Sequence, residues 1–250
     1  MKKTVIMIAA LVTGASAFAQ VQQAPAKAVE FTFDATVVNE YIWRGQEQAD
    51  WTFHPSLKAT YGNAYVGVWS AFPFEESGPA KDWTEFDFFG GYKYSLNDSW
   101  TLDAGVTAYV FTDYNPGNPN SIEPYIGIAG TFHVGERVGD VSTSFYVFHN
   151  FEYNATTLQG SVGYSVPITQ IGTSLDFSAT LGWVSGNSNL SETPAPGVSD
   201  YFYWSIGAAI PYKISDRAVV TLGVSYNDVS KRAINDSADI IGSASLTIGF

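Results

Sequence analysis

Apolar and polar side chains alternate along most of this chain in stretches of about ten residues, and the last stretch shows it most plainly. Phe250, Ile248, Leu246, Ala244, Gly242 and Ile240 share one parity, and Gly249, Thr247, Ser245, Ser243 and Ile241 share the other. A period of two is strand geometry, because successive side chains point to opposite faces. About ten such residues suffice for a tilted strand to cross a bilayer. The alternation recurs over Phe31–Arg44, Phe53–Tyr61, Ala64–Phe72, Trp83–Tyr94, Trp100–Phe111 and Ile122–His133. It continues over Val141–Phe151, Thr156–Val166, Thr173–Ser185, Tyr201–Tyr212, Ala218–Asn227 and the terminal segment. Turn-rich segments punctuate these runs. The connections read as long after the first, third, fifth, ninth and eleventh segments and short after the second, fourth, eighth and tenth. The sixth and seventh fall between. Long and short connections in alternation belong to a barrel with both termini at one end. The pattern therefore predicts an all-β chain, a transmembrane antiparallel up-and-down β-barrel of twelve strands. Ten is the alternative, because His133–Asp140 and Asn150–Ala155 are weak boundaries.

Alternation alone would also fit a soluble barrel turned inside out. Three further features favour the membrane. Aromatic residues stand at predicted strand ends (Trp43, Trp83, Trp100, Trp183, Tyr94, Tyr212), where amphipathic rings suit a membrane–water interface. The connection lengths alternate. The chain also stops on Phe250, which resembles the C-terminal signal that the outer-membrane barrel assembly machinery reads. Aromatic residues make up 16% of the chain while its mean hydropathy is zero, as expected when apolar residues alternate instead of clustering. Closure into a barrel would leave no unpaired strand edge in lipid.

Lys2 and Lys3 precede an apolar run from Val5 to Val12, and Ala17-Phe18-Ala19 supplies a cleavage pattern. Residues 1–19 thus read as a secretory signal peptide, 20–28 as a flexible lead-in, and 29–250 as the barrel. The chain has no cysteine, so no disulfide framework supports it. Its formal charge is −12, and loss of the two signal lysines takes this to −14. Such acidity argues against nucleic acid as a partner.

Placing the charged parity inside the barrel gathers Asp34, Glu40, Arg44, Lys58, Glu85, Asp87, Lys93, Asp103, Glu123 and Asp176. Acids outnumber bases there, and charge in a narrow interior must be paired or wet. A water-filled lumen of this kind would favour cations. A structural network in a nearly closed barrel would use the same residues. Arg44, just before Gly45, is the residue to single out as a constriction or loop anchor, paired with Glu40 or Glu85. His54, His133 and His149 show no triad or metal spacing with their neighbours. No catalytic residue, metal site or cofactor site is therefore expected, and the chain reads as no enzyme.

The segment Asp34-Ala35-Thr36-Val37-Val38-Asn39-Glu40-Tyr41-Ile42-Trp43-Arg44-Gly45 resembles the first-strand signature of the TorF family of porins, an acidic residue, Tyr, two apolar residues and Arg-Gly. Tyr65-Val66-Gly67-Val68-Trp69-Ser70, then Glu85-Phe86-Asp87 and Gly91-Tyr92, are similar to the next strands of that family in order. Asn39 and Trp43 stand where the pattern has a small Ser-like residue and Phe. The resemblance implies a porin-like outer-membrane channel for small solutes, with outer-membrane lipid and lipopolysaccharide around it. A structural or adhesive barrel with partner-binding loops is the alternative, and a lipid-active enzyme a remote one. Solute identity and monomer against trimer are left open.

Overall fold

The structure is a computed structural model of the chain, and it describes residues 28–74, 84–112, 120–136, 138–186 and 198–250. Every regular element among them is a strand. They are β1 (Glu30–Trp43), β2 (Gln46–Tyr61), β3 (Ala64–Pro73), β4 (Glu85–Ser95), β5 (Trp100–Phe111) and β6 (Ser121–Gly135). The second half supplies β7 (Gly139–Asn150), β8 (Ala155–Ile168), β9 (Thr173–Gly186), β10 (Asp200–Lys213), β11 (Ala218–Val229) and β12 (Asp239–Gly249). Each pairs antiparallel with its sequence neighbours, and β12 returns to β1 to close the barrel. Twelve strands stand, and ten do not. The two weak boundaries are real hairpins. His133 Nδ1 meets Asp140 Oδ1 at 2.6 Å across one of them. At the other, Asn150 Oδ1 accepts the Glu152 and Tyr153 amides. The predicted signal peptide and nearly all of the lead-in lie outside the described residues, as does Trp83.

Sidedness follows from the alternation. Leu57, Val66, Ile126, Phe145, Ile206 and Leu222 stand exposed around the outer wall, far more apolar surface than a soluble monomer leaves open. Aromatic side chains flank this band. At the end that carries both termini lie Tyr61, Tyr92, Tyr94 and Tyr212, exposed on the outer wall. Phe250 stacks on Phe31 there, with ring centroids 5.7 Å apart, and the two backbones exchange hydrogen bonds of 2.9 and 3.0 Å. By the rule for outer-membrane barrels, this end faces the periplasm.

One predicted connection is overturned. No long loop follows the first strand. Arg44 and Gly45 have φ of 52° and 81°, a two-residue turn of the type that matches strand twist, and β2 begins at once with Gln46. The residues read as a loop are the outer part of a long hairpin. That hairpin leaves the wall. β1 pairs with β12 over Thr32–Val38 and β2 pairs with β3 from Thr52 onward, while the two strands stay paired with each other as far as Trp43 and Gln46. A bulge between Tyr41 and Ile42 bends this free section, as bulges do. Where the ladder ends, the Asn39 side chain takes the place of backbone: Oδ1 accepts the Gly242 amide at 2.5 Å and Nδ2 donates to Ile240 O at 3.3 Å.

Candidate functional site

The bent hairpin tip crosses the outer mouth of the barrel and docks on the opposite wall. Arg44 is its anchor. Nη1 and Nη2 donate to Glu123 Oε2 and Oε1 at 2.8 and 2.7 Å, and Nη1 also donates to Thr157 Oγ1 at 3.0 Å. The guanidinium lies 4.6 Å from the Trp43 ring centre and 4.7 Å from that of Phe148. The ion pair is sequestered, with side-chain exposures of 4% and 2%. Such a pair is tolerable because each charge is both paired and hydrogen-bonded. Tyr109 completes the shell by donating to Glu123 Oε1 at 3.0 Å. Glu123 and Thr157 lie on β6 and β8, so the turn spans the lumen from the β1–β2 side. Arg44 is thus an anchor, as the sequence predicts, but its partner is neither Glu40 nor Glu85. The turn and the bulge aim the side chain across the barrel instead of along its own wall.

The rest of the tip is wedged in. Gln46 Nε2 donates to the Tyr201 hydroxyl at 2.8 Å. Trp43 meets the Tyr109 ring edge-on at 5.7 Å and packs among Tyr201, Tyr203 and Val229, so it belongs to the plug and not to the membrane interface. Gly45 presses on β10, where a Cβ would come within 2.8 Å of Tyr203 Cβ. Only glycine fits there with that φ. Tyr41, buried with Ile42, donates to Glu85 Oε2 at 3.2 Å and packs edge-on against His54 at 4.8 Å. Around the tip, Tyr109, Glu123, Thr157, Tyr201 and Tyr203 are all buried. The outer half of the lumen is filled.

Toward the periplasmic end the inward-facing side chains are partly exposed, among them Asp34, Ser56, Lys58, Lys93, Ser161, Asp176, Ser243 and Thr247. The inward-facing side chains are thus more exposed toward the terminal end than around the tip. Asp34 accepts from Thr247 at 2.6 Å and from Ser56 at 3.4 Å, and Asp176 accepts from Ser165 at 2.5 Å. A knot of phenols occupies one side. Asp103 accepts from Tyr65 at 2.7 Å and Tyr146 at 3.1 Å, while the Tyr65 and Tyr125 hydroxyls touch at 2.5 Å. Lys93 lies 5.4 Å from the Tyr65 ring centre, opposite Asp103 in register and within electrostatic reach of Lys58. Glu85 and Asp87 face inward from β4. Glu40 is the exception among the predicted ten: it rides on the hairpin beside Glu47, Asp50 and Asp239 at the mouth. His54, read from sequence as lying near a strand start, sits well inside β2 and is buried, with Nε2 unpartnered. His149 stays on the outer face, hydrogen-bonded to Thr156 and edge-on to Phe151.

Sequence reasoning missed Tyr41, Trp43, Gln46, Tyr109, Thr157, Tyr201 and Tyr203 as parts of one assembly. Periodicity gives the face of each but not which residues meet across the barrel. The one usable signal was the Tyr41…Arg44-Gly45 cluster itself.

Solved structures share this fold. An outer membrane channel from Pseudomonas putida aligns with a TM-score of 0.59 at 13% identity, over 94% of this chain and all of that one. The KdgM porin aligns with 0.57 at 11% identity, over 88% and 99%. The NanC porin aligns with 0.55 at 9% identity, over 86% and 98%. At these identities the likeness is one of fold, an outer-membrane porin barrel. None of the curated proteins matches in sequence. A family model described as "Bacterial protein of unknown function (Gcw_chp)" matches residues 22–242, and the chain belongs to that family.

Proposed function

We propose that this protein is an outer-membrane channel for passive diffusion of small solutes, with a preference for cations. The observation that carries the reading is the lining. A barrel with an apolar outer wall encloses a lumen whose polar groups stay partly exposed from Asp34 to Thr247, and charge at that depth is affordable only when wet. Arg44 is neutralised by Glu123, and Lys93 lies beside Asp103. Asp34 and Asp176 have hydroxyl partners instead, and against the one remaining inward lysine, Lys58, they leave the exposed lumen with an excess of a single carboxylate. Carboxylates lining a low-dielectric passage raise the local concentration of cations and repel anions. One KdgM structure is a complex with oligogalacturonate, an acidic solute, and the carboxylates here disfavour that class. The likeness of Asp34–Gly45 to the TorF porins supports the same reading. So does Phe250 at the barrel seam, as an assembly signal following export to the outer membrane. The chain is read as no enzyme. No hydroxyl is hydrogen-bonded to Nε2 of His54, whose ring packs against Tyr41 and Trp69 with centroids 4.8 Å away.

A second reading has one observation behind it. The plugged outer half suits a barrel that stays shut and acts through its loops. Single-channel recording of the refolded protein in a potassium chloride gradient separates the two. Discrete conductance with a reversal potential of cation sign is expected. Anion selectivity would refute the lumen assignment, and the absence of any current under every voltage would favour the shut barrel.

A further inference from the structure

The charged side chains of the lumen are gathered on one half of the barrel. Asp34, Lys58, Glu85, Asp87, Lys93, Asp103 and Glu123 all project from β1–β6. Between the two rims, the inner face of β7–β12 carries a single charge among the described residues, Asp176. What it carries instead is hydroxyls, in register. Ser144, Ser161, Thr180, Ser205 and Asn227 are successive partners across β7, β8, β9, β10 and β11. The next row toward the periplasm is Ser142, Gly163, Ser178, Gly207 and Ser225. Inward neighbours in register stand about 5 Å apart, so these rows form a continuous neutral surface of donors and acceptors. Its glycines and serines leave space, whereas Tyr65 and Tyr125 fill the opposite wall and Tyr146 on β7 bounds the tract at its edge.

A second observation concerns unmet hydrogen bonds. The Ser205, Thr221 and Thr36 side chains are more than nine-tenths buried on this inner surface, yet their hydroxyls have no partner, and neither does the Ser178 hydroxyl. Thr221, Ser245, Thr36 and His54 occupy successive register positions on β11, β12, β1 and β2, and Nε2 of His54 is unpartnered too. Buried polar groups are costly when unsatisfied. The hairpin tip lies over the outer end of the tract: Gly45 presses on Tyr203 and Val229, the residues next outward from Ser205 and Asn227 on the same faces. With the tip in place the outer end of the tract is capped, and the unmet hydroxyls along it lack partners. With the tip withdrawn, a solute or water passing along it would supply them.

We propose that the inner face of β7–β12, continued by Thr36 and His54, is a binding tract for neutral polyhydroxylated solutes of about the size of a sugar monomer. This rests on the channel reading above. A hydroxyl offers one donor and two acceptor positions, so a wall of hydroxyls exchanges bonds with a polyol at every step and holds none tightly. An uncharged wall gains nothing from a carboxylate or phosphate on the solute, and Asp34 and Asp176 repel both.

The test is isotonic swelling of proteoliposomes containing the refolded barrel, in arabinose, glucose or galacturonate, with potassium current measured on the same preparation. Native protein and Arg44→Ala are run side by side. Arabinose and glucose are expected to enter several-fold faster than galacturonate, more so in Arg44→Ala. The double change Ser205→Ala with Thr221→Val, which adds no bulk, is expected to lower the ratio of glucose flux to potassium current several-fold. Potassium current without sugar entry overturns the tract and leaves the channel standing. Galacturonate entering as fast as glucose, or an unaltered ratio in the double variant, also overturns the tract. Neither current nor swelling in either protein overturns the tract and the channel together.

Discussion

Replacing Arg44 with alanine tests the plug directly, because Arg44 contributes almost every polar bond that ties the hairpin tip to the far wall. The change removes two charge-assisted bonds to Glu123 and one to Thr157. It also strips the cation from between the Trp43 and Phe148 rings. With the tip still docked, Glu123 would keep its charge at 2% exposure with only Tyr109 as a partner. Removing one member of a buried pair costs about 3–5 kcal/mol. With the tip withdrawn, Glu123 is hydrated and most of that cost disappears, so it weighs against the docked state almost alone. At about 1.4 kcal/mol per factor of ten, the docked-to-withdrawn ratio should fall by roughly two to three and a half powers of ten. The barrel itself should survive, since the tip section beyond Val38 and before Thr52 pairs with neither β12 nor β3. In planar bilayers the variant should spend far more time conducting than the native protein. Its heat-shifted mobility in detergent gels should still report a folded barrel. Arg44→Lys should fall between the two, because an ammonium cannot grip both carboxylate oxygens in the same plane. If Arg44→Ala conducts like the native protein, with the same open probability and the same current fluctuations, the tip does not close this barrel.

Four other outcomes follow from the same geometry. Asn39→Ala removes both bonds that cap the free edge of β12, and should speed hydrogen exchange at the Gly242 amide about tenfold without moving the barrel's unfolding midpoint by more than about 1 kcal/mol. Tyr65→Phe takes a donor from Asp103 and a partner from Tyr125; urea unfolding in detergent should register a loss of about 1–3 kcal/mol. Asp34→Asn with Asp176→Asn should move the reversal potential toward zero, and an unchanged potential would place the selectivity elsewhere. Deleting Phe250 breaks the stacked, hydrogen-bonded seam with Phe31, so the folded fraction after insertion into lipid vesicles should drop.

The wall of the barrel was legible in the sequence because lipid and lumen impose opposite demands on alternate residues. Each of the twelve strands is visible as a period of two, and Phe250 marks the seam. The charged residues of the wall face inward for the same reason, while Glu40 rides on the hairpin. The hairpin tip was hidden by that very regularity. Glu40, Ile42 and Arg44 continue the alternation of β1 past Val38, and nothing in a period of two says that the strand has left the wall. The turn was also disguised. A two-residue hairpin turn is usually announced by Asn-Gly or Asp-Gly, whereas here a bulky cation takes the left-handed position before glycine. Such a conformation costs a non-glycine residue about 1–2 kcal/mol. The bonds to Glu123 and Thr157 offset that cost, and they join residues 79 and 113 positions apart in the chain. Partners at that separation cannot be read from spacing.

Two positions of the first strand, Asn39 and Trp43, acquire a physical meaning together. Asn39 sits where β1 parts from β12, and its amide replaces the two backbone groups that the departing strand no longer offers. A serine is too short to bond both the Gly242 amide and the Ile240 carbonyl. Trp43 sits at the other end of the free section and fills the space between Tyr109 and the Tyr201–Val229 cluster, with Arg44 lying against its ring. Asn39 satisfies the wall where the hairpin leaves it, and Trp43 gives the hairpin something to hold on the far side. The acids of the tip do not change this balance, since Glu40, Glu47 and Asp50 travel with the hairpin, Glu40 opposite Asp50 in register, and only Asp239 lies off it. Docking of the tip therefore rests chiefly on the one buried ion pair between Arg44 and Glu123.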